Sequence, residues 1–121
     1  MAPEDLWNRY SAIWSSPSER RRTELAACLA DDATYCDVNG LLAGREALSA
    51  YMAGFQDSVP GGAFEIIEVR AHHGRSLARW ALRAASGEVL QLGASFAIHD
   101  EAGRLKTITG FFPLTTADVQ P

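Results

Sequence analysis

The segment Ala30–Leu48, ADDATYCDVNGLLAGREAL, decides how the rest of the chain is read. Asp31 and Asp32 read as solvated residues between two elements, and Ala33–Val38, ATYCDV, has the composition of a short strand. Asp37 is out of keeping with that strand. Its neighbours Tyr35, Cys36 and Val38 suit a half-buried surface, yet it carries a carboxylate. Two explanations are open. DVNG is good turn sequence, and Asp readily caps its own backbone. Alternatively the side chain points into a cavity, where partial loss of water makes a carboxylate a better base.

Working outward, the N-terminal third is helical. In PEDLWNRYSAIWSS, Leu6, Trp7, Tyr10, Ile13 and Trp14 recur on one stripe. Pro3 suits a first-turn position, and Glu4 and Asp5 favour the positive end of the helix dipole. The next segment opens SPSE, where Ser16 is an N-cap candidate, Pro17 fits the first helical position and Glu19 can close a capping box. Leu25, Cys28 and Leu29 form its buried side. After the strand, GLLAG reads as a loop and REALSAYMAGFQDSV as a third helix, with Leu48, Tyr51, Met52 and Phe55 on one face and PGG at 60–62 as its stop.

The second half reads as β-structure: AFEIIEVRAHHG, SLARWALRAAS, EVLQLGASFAIHD and RLKTITGFF, separated by the hairpin turns HGR, SG and EAG. Three helices followed by a meander of strands predict an α+β fold with helices packed on one face of a curved antiparallel sheet. SLARWAL and VLQLGASFAI carry apolar side chains on both faces, which a one-sided core does not need. A homodimer covering the second face is therefore expected. No repeat or linker divides residues 1–121, which read as one domain, and TTADVQP reads as a frayed tail.

Composition narrows the function. The 121 residues are 47% hydrophobic and 21% charged, an ordinary balance for a globular domain. A net charge of −4 argues against a nucleic-acid partner. The basic cluster SERRRTEL is flanked by Glu19 and Glu24 and reads as a solvated helix surface. No apolar run approaches the ~20 residues that span a bilayer, and MAPEDLWNRY lacks signal-peptide order, so no membrane partner and a cytoplasmic location are expected. Cys28 and Cys36 read as small buried apolar residues rather than a disulfide. The three histidines form no clustered ligand set, and GLLAGRE lacks the spacing of a phosphate loop, so neither metal nor organic cofactor is expected.

The order of NRYSAIW, LADDATYCDVNG, AGREAL, FEIIEVRAHHG, RW, DEAGRL and ITGFF resembles the nuclear transport factor 2-like superfamily, in particular its SnoaL-like and ketosteroid-isomerase-like members, from about Leu6 to Phe112. The resemblance implies a cone-shaped domain in which a bent sheet wraps a helix and leaves a pocket at the open end. It also implies homodimers through the outer face of the sheet. It does not imply one activity, since the fold carries isomerases, dehydratases, cyclases, epoxide hydrolases and non-catalytic modules. Ketosteroid isomerases use an Asp at the end of the first strand as base, with a helix Tyr and a protonated strand Asp as donors to the enolate oxygen. Asp37 matches the base and Tyr10 the tyrosine. The second donor falls on Ser95 counted back from EAGRL, or on Phe96 counted forward from Gly87; either way the acid is missing.

The expectation is a small apolar ligand, carbonyl-bearing or polycyclic, handled by an isomerase, cyclase or dehydratase without cofactor. Asp37, Tyr10, Ser95 and His72 are its catalytic candidates, and Trp14, Tyr35, Phe55, Trp80 and Phe112 its pocket wall. The alternative is a non-catalytic binding or dimerisation module. His72 and His73 are neighbours on a strand and point to opposite faces, so at most one meets the pocket; both also lie beside GR, a hairpin tip, where the alternative is that both are exposed. The small residues Gly93, Ala94, Ser95 and Ala97 are expected to leave space opposite aromatic rings.

Overall fold

A computed structural model describes residues 1–113; the expectation for TTADVQP lies outside the described residues. Helix α1 (Pro3–Ile13) starts with Pro3 in its first turn and Glu4 and Asp5 beside it, as its sequence predicts. Helix α2 (Ser18–Cys28) departs from expectation at its start. Pro17 is the capping residue, and the Ser16 hydroxyl bonds back to the Ala12 carbonyl at 2.8 Å, so no Ser16–Glu19 capping box forms. The basic cluster is not wholly solvated either. Arg21 is only 6% exposed and donates to the Ser16 carbonyl (2.8 Å), Ser49 Oγ (3.1 Å) and Gln56 Oε1 (3.3 Å). Its long side chain thus ties the end of α1 to helix α3 (Arg45–Ser58).

Strand β1 (Leu29–Asp37) is followed by β2 (Gly40–Ala43), so GLLAG is not a loop. It pairs antiparallel with β1, Tyr35 opposite Leu42 and Asp37 opposite Gly40. Four residues of low turn content suffice for an edge strand, which the apolar pair Leu41–Leu42 gave no way to tell from a loop. Gly44 then takes φ 90°, a conformation that costs glycine little, and turns the chain into α3. Arg45, the first residue of α3, donates to the Leu29 carbonyl at 2.6 Å and pairs with Asp31 at 2.7 Å.

Strands β3 (Ala63–His72), β4 (Arg75–Arg83), β5 (Val89–His99) and β6 (Leu105–Phe111) complete one sheet in the order β2-β1-β6-β5-β4-β3. The β1–β6 junction is parallel and the others antiparallel, so the sheet is mixed rather than purely antiparallel. Register shifts in β3 between Ile66 and Glu68, and at Leu82/Arg83 and Ile98/His99, bend the strands, as an extra residue in one strand of a pair does.

The helices fill the concave side. Trp7, Ile13, Leu25, Cys28, Leu48, Met52, Leu105 and Ile108 are essentially inaccessible. The convex side stays apolar and open: Leu77 on β4, Leu92, Phe96 and Ile98 on β5 and Phe111 on β6 are exposed, Phe111 to 59%. Leu77 stands opposite Phe96 in register. Cys28 and Cys36 are both free.

Candidate functional site

Between α1, α3 and the concave face lies a cavity of about 560 Å³. That volume is typical of small-molecule sites. All three tyrosines and all three tryptophans of the protein line it, with Phe55, Phe64 and Phe112. The rings touch in a continuous series: Trp14 lies 5.6 Å from Tyr35, Phe55 and Phe64 and 6.1 Å from Tyr51, centre to centre, and Trp80 bridges Phe64 and Phe112.

Asp37 enters this wall because alternation along β1 puts it on the same face as Ala33 and Tyr35. Its Oδ2 accepts from the Tyr35 hydroxyl at 2.6 Å. Both oxygens accept from Tyr51, at 2.8 and 3.0 Å. Oδ1 also accepts from the Asn39 backbone N–H at 2.7 Å. The two explanations of the opening segment therefore hold together: Asp37 caps the turn and lines the cavity. Among the described residues it is the sole acidic side chain lining the cavity, and no Lys, Arg or His lines it.

The Tyr10 hydroxyl is buried and finds no hydrogen-bond partner among the described residues. Burial pushes this phenol well above its ordinary range; a hydrogen bond with the Trp14 indole works against that rise and the Asp37 charge adds to it. Burial likewise raises Tyr35 strongly, with Tyr10 and Asp37 adding. Tyr51 is pushed up to about 12, by burial first and then by the bond it gives Asp37. All three phenols thus stay protonated and remain donors.

Ser95, on β5, lines the cavity, whereas its neighbour Phe96 points to the exposed face, as alternation along the strand requires. Ser95 Oγ accepts from the Trp80 indole N–H at 3.0 Å, which leaves its own hydrogen free to donate. Gly110 marks where these groups converge. A Cβ there stands 3.3 Å from Ser95 Oγ, 3.8 Å from Asp37 Cβ and 3.9 Å from the Tyr35 hydroxyl. At Gly93 the expected free space is absent. The Trp80 ring lies across it, so close that an added Cβ collides with the ring atoms Cζ2 and Cη2. Ala94 does not line the cavity and Ala97 is core.

His72 is not part of the cavity. It ends β3 at the exposed hairpin to β4, and His73 has left the strand with φ 50°. The two rings consequently do not oppose each other across the sheet but lie 5.3 Å apart. The third histidine closes a different chain: Trp7 Nε1 donates to Ser76 Oγ (2.8 Å), which meets His99 Nε2 (2.7 Å), while His99 Nδ1 meets the Gly103 carbonyl (2.9 Å). With the proton on Nδ1 every group is satisfied. Trp14, Tyr35, Phe55, Trp80 and Phe112 all line the cavity.

Sequence reasoning missed Tyr51 as a site residue, treating it as part of the apolar face of α3. Its hydroxyl was the available signal, because a phenol on a core stripe needs a polar partner. Gly54, one turn further along α3, also lines the cavity, and a Cβ there meets no atom within 4 Å.

This architecture, three helices against a bent mixed sheet with a cavity between, is that of the nuclear transport factor 2-like fold. The model of the SnoaL-like domain matches residues 7–109, and the chain belongs to that family. A protein named as an isomerase of the SnoaL-like family, from Agrobacterium tumefaciens, shares 22% identity over 88% of this chain and 93% of its own, with a TM-score of 0.83. A protein named as a polyketide cyclase, from Sinorhizobium meliloti, shares 17% identity over 88% and 93% (TM-score 0.69). One named as a ketosteroid isomerase, from Kribbella flavida, shares 20% over 97% and 79% (TM-score 0.68). At these identities the likeness establishes the fold. No curated protein matches the chain.

Proposed function

We propose that this SnoaL-like protein binds a small, largely apolar, carbonyl-bearing molecule and moves a proton on it without a cofactor, as an isomerase, cyclase or dehydratase. The observation that carries the reading is the Asp37 carboxylate set in an aromatic cavity that Tyr10 and Ser95 also line. In this reading Asp37 takes a proton from the carbon next to the carbonyl and returns it elsewhere on the skeleton. Tyr10 and Ser95 donate to the carbonyl oxygen as charge develops there. Tyr35 and Tyr51 hold the carboxylate in one orientation between the two transfers. His72 has no part. The names of the structural neighbours, isomerase and polyketide cyclase among them, agree with this chemistry. The protein works in the cytoplasm as a homodimer, joined through the exposed Leu77, Phe96, Ile98 and Phe111 face.

The test is exchange of α-protons on a panel of cyclic ketones and enones in heavy water. Exchange above the buffer rate, falling ~10²–10⁴-fold in Asp37→Asn, supports proton transfer. Saturable binding of those ketones with no exchange makes the protein a binding module.

A further inference from the structure

The charge of Asp37 and its hydrogen bonding are balanced differently. A carboxylate has about four lone-pair sites, and here Tyr35, Tyr51 and the Asn39 N–H occupy most of them. All three partners are neutral. No ion pair reaches Asp37 among the described residues, and no cationic side chain lines the cavity. The site therefore holds a full negative charge whose hydrogen-bonding capacity is largely taken. The group that complements it is a cation with few or no N–H bonds to offer.

The surroundings match such a cation. The Trp14, Tyr35 and Tyr51 rings stand 5.6–6.1 Å from one another, beside the carboxylate. Electron-rich rings attract an ammonium ion through their quadrupoles, and more strongly where water is excluded. An anionic ligand has nothing to balance its charge here.

We propose that the cavity takes an alkylammonium ligand: a tertiary or quaternary ammonium group seated against Asp37, beside the Trp14, Tyr35 and Tyr51 rings that line the cavity. This goes beyond proton transfer and rests only on the cavity being a ligand site, so the two ideas fail separately: exchange in heavy water reads the chemistry, and an equilibrium titration reads the charge preference.

Because Trp7, Trp14 and Trp80 all line the cavity, their fluorescence reports occupancy of this site. The probes are choline and its uncharged isostere 3,3-dimethylbutan-1-ol, titrated into the full chain. Choline is expected to bind at least about tenfold tighter than the isostere, the scale of cation–π attraction plus one nearby charge. In Asp37→Asn the ratio falls toward unity. Equal or tighter binding of the neutral isostere to the unaltered protein overturns the proposal, as does the absence of a saturable signal with either probe. That comparison needs no variant, so it stands even if Asp37→Asn does not fold.

Discussion

Tyr10→Phe separates function from stability in an unusual direction. The Tyr10 ring is 4% exposed and packs edge-on against Trp7 at 5.6 Å, contacts that Phe keeps. What the substitution removes is one hydroxyl, buried and without a partner. A buried polar group left unpaired costs about 1–3 kcal/mol. Deleting it in place should therefore stabilise the ligand-free protein by about 1–2 kcal/mol, or roughly 3–8 °C in Tm for a domain of this size. Turnover moves the other way, because the donor to the developing oxygen charge is gone, and a loss of ~10²–10³-fold is expected. Urea denaturation of the empty protein, with exchange in heavy water on the same preparation, measures both. A stability loss of about 1 kcal/mol or more would show that the hydroxyl is already satisfied without ligand, and the role given to it here would collapse.

Four further outcomes are expected. Native tyrosine titration, followed by phenolate absorbance, should show no group ionising near its ordinary value of about 10, because all three phenols are raised. Each phenol binds its proton more tightly folded than unfolded. Their stabilisation is thus complete below about pH 10 and lost as pH climbs through about 12, so urea midpoints should fall across that window and hold steady below it. Gly93→Ala should cost about 1–3 kcal/mol in urea, because its methyl group displaces the Trp80 indole and breaks the bond to Ser95. Phe96→Glu places a charge on the exposed sheet face and should convert the proposed dimer to monomer in sedimentation, with the melting temperature of the monomer little changed.

The fold was legible where pattern and punctuation agreed. Pro3, the α1 stripe and the glycines of the hairpins each point to the element that forms. It was less legible at long range. The parallel β1–β6 junction depends on which strands meet, and the Gly40–Ala43 strand is defined by its pairing rather than its residues. Arg21 shows the same limit, since only the position of Ser49 and Gln56 on α3 explains a buried guanidinium. At the site, period-two alternation placed Tyr35 and Asp37 on one face correctly. The failures were at His73, where a turn broke that alternation, and at Tyr51, where a helical stripe served packing and hydrogen bonding at once.

Gly54 gives the two walls of the cavity different evolutionary futures. On the sheet wall a single methyl at Gly93 meets the Trp80 ring, so divergence there is constrained by what already fills the space. On the α3 wall, a methyl group added at Gly54 meets no atom within 4 Å. The helix even gains from the change, since glycine in a helix interior is about 1 kcal/mol worse than alanine. The step from Gly54 to alanine is thus tolerated by the fold while it adds a methyl group to the lining of the cavity. Descendants of this chain have a one-residue route to a new specificity, and it runs through α3.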